Sequence, residues 1–187
     1  MGFPTNIFVL CTGRCGSMTL ARACDHITNY TSAHEGRTHA LGADRLAYPA
    51  RHIEIDNRLS WFLGRLDRTF GDNAAYVHLI RDPDDVARSY AGRSNQGILR
   101  AYRTAIVSRA ARRNPKARVI DFSRDYVDTV TENLTTFLRD KTHVMVIRLE
   151  TLGPDFDRFI DWIGATGDLD AAQAELLVRH NASERKA

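Results

Sequence analysis

Short apolar runs that close on turn residues alternate along this chain with segments whose apolar residues recur every three to four positions. Ile7 to Cys11 is such a run; a glycine-containing turn follows it, and Leu20, Ala21, Cys24 and Ile27 then fall at helical spacing. Tyr76 to Ile80 is a second run, ending at Arg81, after which Asp82 and Pro83 supply an N-cap and an N1 proline for a helix through Val86 and Tyr90. His143 to Arg148 predicts a third strand, and Phe156, Phe159, Ile160 and Ile163 predict a helix that stops at Gly164. Ile55, Leu59, Phe62, Leu63, Leu66 and Phe70 fit one face of a further helix. So do Ile98, Leu99, Tyr102 and Ile106, and again Val127, Val130, Leu134, Phe137 and Leu138. Strands separated by helices need crossover connections, so the expected class is α/β: a three-layer arrangement with a parallel sheet and helices on both faces. In such sheets ligands bind at the carboxyl ends of the strands.

At 187 residues, 43% of them hydrophobic, the chain can bury a full core, and no repeat, low-complexity tract or linker divides it. One domain spanning 1–187 is expected. The opening Met-Gly-Phe-Pro-Thr-Asn has no basic n-region, and the apolar run behind it is too short for a signal peptide or a membrane span. A cytoplasmic location follows as an expectation, and Cys11, Cys15 and Cys24 fit a reducing compartment better than a disulfide framework. Their spacing lacks the second pair of a zinc site, so no metal is expected. The net charge of +3 is too small to argue for nucleic acid, but lysine occurs only at positions 116, 141 and 186 and the other cations are arginines. Guanidinium forks bind phosphate and sulfate in a bidentate way.

The first strand-to-helix turn reads Thr12-Gly13-Arg14-Cys15-Gly16-Ser17-Met18-Thr19. A turn of this kind presents unpaired backbone N–H groups and the positive end of a helix dipole, which together favour a phosphate. Gly13 and Gly16 let the backbone approach an anion, Ser17 and Thr19 can add hydroxyl donors, and Arg14 can add a charged fork. A Walker A loop is excluded because the turn contains no lysine. The loop of low-molecular-weight tyrosine phosphatases is excluded too, since the residue six places after Cys11 is Ser17 and six after Cys15 is Ala21, where an arginine is required. Cys11 therefore reads as a buried strand residue and Cys15 as a small loop residue.

The segment Arg14-Cys15-Gly16-Ser17 resembles the Arg-Ser-Gly-Ser form of the 5′-phosphosulfate loop in sulfotransferases that use 3′-phosphoadenosine 5′-phosphosulfate (PAPS), in particular the carbohydrate sulfotransferases. Cys15 stands where that loop has serine. The second junction, Leu79-Ile80-Arg81-Asp82-Pro83 through Ser89, is similar to the 3′-phosphate motif of the same family, in which a strand-end arginine and a serine eight residues later hold the 3′-phosphate. A third likeness is Val146-Ile147-Arg148-Leu149-Glu150-Thr151-Leu152 before a helix, where Glu150 reads as structural. The resemblance spans about residues 5 to 165, and the chain is shorter than most members of the family.

The resemblance implies a P-loop NTPase-like sulfotransferase fold, PAPS as donor, PAP as product, and a small-molecule or carbohydrate acceptor bearing a hydroxyl or amine. It places Thr12, Gly13, Arg14, Cys15, Gly16, Ser17, Met18, Thr19, Arg81 and Ser89 at the cofactor. Sulfuryl transfer, like phosphoryl transfer, asks the protein to align the acceptor and stabilise charge on the transferring group, so Arg14 is the candidate for the leaving-group side. A hydroxyl also needs a base. The segment Ser32-Ala33-His34-Glu35-Gly36 offers His34 and Glu35, which point to opposite sides if the segment is extended. Histidine titrates near neutrality, which favours His34, whereas the family allows a glutamate. His52 and Glu54 are further acid/base groups, with Glu54 read as a solvated carboxylate at a helix start. Two rival readings are a nucleotide or small-molecule kinase with a degenerate P-loop and an RNA or nucleotide binder using Arg100, Arg103, Arg112 and Arg113. The second lacks the interleaved aromatics of a stacking platform.

Overall fold

The computed structural model describes residues 3–93, 97–114 and 116–178, with the side chains of Ala111 and Arg112 outside the description. Five strands form one sheet: β1 (Asn6–Leu10), β2 (Thr31–His34), β3 (His52–Ile55), β4 (Ala74–Ile80) and β5 (Val144–Arg148). Their order is β2-β3-β1-β4-β5 and every pairing is parallel. The helices are α1 (Ser17–Cys24), α2 (Leu63–Phe70), α3 (Pro83–Ala91), α4 (Gly97–Ala101), α5 (Ala110–Arg113), α6 (Val119–Leu138), α7 (Leu152–Ile163) and α8 (Leu169–Leu176). A π turn, Tyr102–Ile106, extends α4.

β1 is buried at all five positions because it lies mid-sheet with both faces covered, which is why Asn-Ile-Phe-Val-Leu shows no alternation. The helices α1, α7 and α8 pack together as one layer and α3, α4 and α6 as the other. Edge-on and tilted contacts of Phe8 with Tyr48, Phe70 and Tyr76, and of Tyr76 with Phe137 on α6, tie the sheet to its aromatic side. From β1 the chain runs outward to β2, returns through β3, and then crosses to β4 on the other side of β1. That reversal opens a crevice at the carboxyl ends of β1 and β4, where the two strand-to-helix turns stand side by side.

Three sequence expectations need correction. The apolar period from Ile55 to Phe70 does not form a single helix. Ile53 and Ile55 are fully buried in β3, the Asp56 side chain caps a 3₁₀ turn at Asn57–Trp61 by accepting from Arg58 N, and only then does α2 begin. An Ile-Glu-Ile alternation is a strand signal that the flanking helical period masked. Glu54 is accordingly no solvated helix-start carboxylate: it is 0% exposed inside β3. Ile106 does not join the buried face with Leu99 and Tyr102, because the backbone widens to the π turn and leaves it 59% exposed. Elsewhere local chemistry and structure agree. Asp82 accepts from Asp85 N (2.8 Å) with Pro83 opening α3, and Gly164 takes φ 60° after α7.

Candidate functional site

The turn after β1 is built from left-handed backbone: Gly13 has φ 84°, Arg14 φ 60° and Gly16 φ 84°. Such residues curl successive N–H groups toward one side and shape an anion-binding concavity. A Cβ on Gly13 would lie 2.3 Å from Tyr90 Oη, and one on Gly16 would lie 2.6 Å from Leu149 Cδ1, so both positions exclude a side chain on two counts. Arg14 holds a left-handed conformation without being glycine, a strain of roughly 1–2 kcal/mol that neighbouring contacts must offset. Those contacts are present. Thr12 O accepts from Tyr90 Oη (2.7 Å) and Tyr126 Oη (2.8 Å), and Arg14 O accepts from Arg81 Nη1 (3.3 Å). Burial pushes both phenols well above their ordinary pKa, so they remain neutral donors to the loop. Gly13→Ala is expected to destabilise the fold by at least about 2 kcal/mol, a drop of roughly 4–8 °C in a thermal melt, since it adds positive-φ strain to a clash with a buried phenol.

Within the loop Arg14, Gly16, Ser17 and Met18 are partly exposed, whereas Thr12, Gly13, Cys15 and Thr19 are buried. Cys15 Sγ is 1% exposed, donates to Gly13 O (3.1 Å) and lies 3.1 Å from Thr12 Oγ1, so it braces the turn from inside. Its hydrogen bond with Cys11, together with burial, pushes the Cys11 thiol up, and burial does the same for Cys24. All three thiols are free.

The two motifs meet. Arg14 Nε donates to Ser89 Oγ at 3.0 Å, joining the first loop to the second turn of α3. Arg81 lies against the same loop carbonyl and 3.5 Å from Asp85. Half-burial lowers the pKa of Arg14, and the like charges of Arg93 and Arg81 lower it further. Arg14 thus lies near two further cations, Arg81 and Arg93, in a loop of the backbone type that shapes an anion-binding concavity. An anion placed there relieves the repulsion.

His34 ends β2 with its Nε2 3.1 Å from Ser17 Oγ, at the N-terminus of α1. The next residue, Glu35, leaves the strand in a left-handed conformation (φ 55°), and its carboxylate pairs with Arg58 from the turn after β3. The segment is therefore not extended through Glu35, and the two side chains take different partners, Ser17 for His34 and Arg58 for Glu35. Neither His52 nor Glu54 faces the opening: they bond each other (3.0 Å) with 7% and 0% exposure. Residues that sequence reasoning missed include Tyr90, Tyr126, Arg93, Arg58 and Asn57, whose amide lies beside Gly13 and bonds Tyr126. Asn57 and Arg58 were hidden in the stretch read as helix. Tyr90 follows Ser89 directly, and its role is set by a partner distant in sequence, the Thr12 carbonyl. Glu150 has the structural part expected of it, accepting from Asp82 N at 2.8 Å.

A cavity of about 620 Å³ adjoins the loop on the α6 side, between Thr12, His78, Arg81, Thr131, Arg148 and Glu150. Burial and the charge of Arg148 lower the pKa of His78, which keeps the imidazole neutral there. Among the described residues no group of three or more His, Cys, Asp or Glu side chains could hold a metal ion, and no helix is long and apolar enough to cross a membrane. Of the basic face, Arg100 and Arg113 are exposed, Arg103 lies over the Phe122 ring, and the Arg112 side chain lies outside the described residues.

No family model matches the chain, and no curated protein does. Among solved structures, the crystal structure of mouse sulfotransferase SULT7A1 complexed with PAP superposes on 93% of this chain with a TM-score of 0.56. The fold is that of a sulfotransferase. Sequence identity over this match is 13%, and the chain spans about 65% of the neighbour's length. The loop after β1 and the turn after β4 occupy adjacent strand ends, and the bonds of Arg14 to Ser89, Arg81 to Arg14 O and Tyr90 to Thr12 O join them.

Proposed function

We propose that this chain is a sulfotransferase that moves the sulfuryl group of PAPS onto a hydroxyl of a small-molecule or carbohydrate acceptor by in-line displacement. The observation that carries the reading is the 3.0 Å contact of Arg14 Nε with Ser89 Oγ, since it brings the turn after β1 and the turn after β4 together in one site. The backbone amides of 13–17 and the Ser17 hydroxyl hold the phosphosulfate. Arg81 and Ser89 hold the 3′-phosphate, and Arg14 stands between them, neutralising charge on the phosphate oxygen that leaves. His34, in contact with Ser17, accepts the acceptor's proton as its oxygen bonds to sulfur and the sulfur–phosphate oxygen bond breaks. The donor supplies an already activated sulfuryl group, so the protein's part is alignment, charge stabilisation and one proton transfer. Three buried free thiols fit the cytoplasm as the compartment.

The 3′-phosphate assignment is tested by comparing PAP with adenosine 5′-phosphosulfate, which lacks that group. Arg81→Ala and Ser89→Ala are expected to weaken PAP binding, by about tenfold or more for the arginine, and to leave adenosine 5′-phosphosulfate within about twofold. Equal losses for both ligands would place the two residues elsewhere in the site.

A further inference from the structure

β3 carries two carboxylates, Glu54 in the strand and Asp56 just past its end, and both are 0% exposed. Two residues apart, they are set for the same face of the sheet. Burying a carboxylate is costly unless each oxygen is engaged, and here every oxygen is. Glu54 Oε1 accepts from Gly36 N (2.7 Å) and Oε2 meets His52 Nε2 (3.0 Å), with His52 Nδ1 in turn 2.8 Å from Thr31 Oγ1. Asp56 Oδ1 accepts from Arg58 N (2.7 Å), while Oδ2 pairs with Arg45, which is 3% exposed and donates to Tyr48 Oη (2.8 Å). The two carboxylates follow one pattern: one oxygen on a buried cationic or titratable side chain, the other on a backbone amide of the candidate site.

Those two amides matter. Gly36 follows the His34–Glu35 step, and Arg58 is the partner of Glu35. The turn at Gly36 is closed onto Glu54 so tightly that a Cβ there would lie 2.8 Å from Ala33 Cβ and 3.3 Å from Glu54 Oε2. Glu35 N donates to Ile55 O (3.0 Å), which ties the same turn to β3 a second time. We infer that Glu54 and Asp56 are positioning residues: through the amides of Gly36 and Arg58 they lock the His34–Glu35 turn to β3 and hold the His34 ring against Ser17. The inference rests on the reading of His34 as the base. Glu54 and Asp56 touch no substrate; they act through the backbone, and what Glu54 must supply is an acceptor oxygen, not a charge.

Amide hydrogen exchange and kinetics test this together. In the wild-type chain the Gly36 and Arg58 amides should exchange at least about a hundredfold more slowly than in an unstructured peptide. Glu54→Leu should free the Gly36 amide and lower kcat about tenfold or more, with PAP affinity within about twofold, because misplacing a base affects turnover more than binding. Glu54→Gln keeps an acceptor oxygen for Gly36 and should retain both the protection and kcat within about threefold. Freely exchanging Gly36 in the folded wild type or in folded Glu54→Gln would overturn the inference, and so would undiminished kcat in Glu54→Leu. A fall in PAP affinity in step with kcat would also overturn it, since that marks a general structural role. If Glu54→Leu does not fold, wild type and Glu54→Gln decide alone. A wild-type chain that binds no PAP strikes the sulfotransferase reading, and amide exchange still judges the clamp.

Discussion

Replacing His34 by alanine is expected to lower kcat for transfer to a hydroxyl acceptor by about 10²–10⁴-fold, with PAP affinity within about twofold of wild type. The expectation comes from position. His34 is the last residue of β2 and its Nε2 lies 3.1 Å from Ser17 Oγ, in the first turn of the helix that follows the anion loop. A base must reach both the acceptor and the sulfuryl group, and His34 reaches the loop directly. Glu35, by contrast, leaves the strand in a left-handed conformation and its carboxylate is engaged by Arg58. Glu35→Gln should therefore reduce turnover less than His34→Ala. Steady-state kinetics of both variants, with calorimetry on PAP, distinguish the cases: a dead Glu35→Gln beside an active His34→Ala would exchange the two roles. Glu54 cannot serve as the base, since a fully buried carboxylate with both oxygens engaged cannot meet an acceptor.

Arg14→Ala is expected to cost at least about a hundredfold in kcat, comparable to removing one oxyanion-hole donor. The structure gives the reason in its cost. Arg14 is half-buried beside the like charges of Arg93 and Arg81, and burial first and those charges next lower its pKa. Charge that develops on the leaving oxygen during transfer is opposite in sign and meets a guanidinium already in place. Arg14→Lys should recover little, because a point charge on a flexible stem cannot contact Ser89 through Nε while facing the loop. Should Arg14→Ala raise KM and leave kcat unchanged, Arg14 would be a ground-state binding residue and the leaving-group role would fall.

The parts of this account legible in the sequence are those written in local chemistry. Asp82-Pro83 marks the start of α3, Gly164 the end of α7, and the run from Ile7 into a glycine turn marks β1 and its loop. β2 and β3 escaped because neither is apolar along its length. β2 reads Thr-Ser-Ala-His on the sheet edge, and β3 interleaves His52 and Glu54 with two isoleucines. Buried polar residues of this kind are explained only by partners distant in sequence, as Glu54 is by Gly36 and Asp56 by Arg45. The same limit hid the tyrosines. Nothing near Tyr90 or Tyr126 announces that both phenols will converge on the carbonyl of Thr12, 78 and 114 residues away along the chain. The bond from Arg14 to Ser89 likewise became visible only in three dimensions, although each motif could be read alone.

The central claim, that these two turns form one site for a 3′-phosphorylated adenosine 5′-phosphosulfate, is tested most directly by calorimetric titration of the wild-type chain with PAP and with ATP, in the presence of magnesium and again with EDTA. The account predicts saturable one-to-one binding of PAP that is unchanged by EDTA, with ATP binding at least about tenfold more weakly because it has no 3′-phosphate for Arg81 and Ser89. Magnesium-dependent binding of ATP with none of PAP would contradict it and make the site that of a kinase.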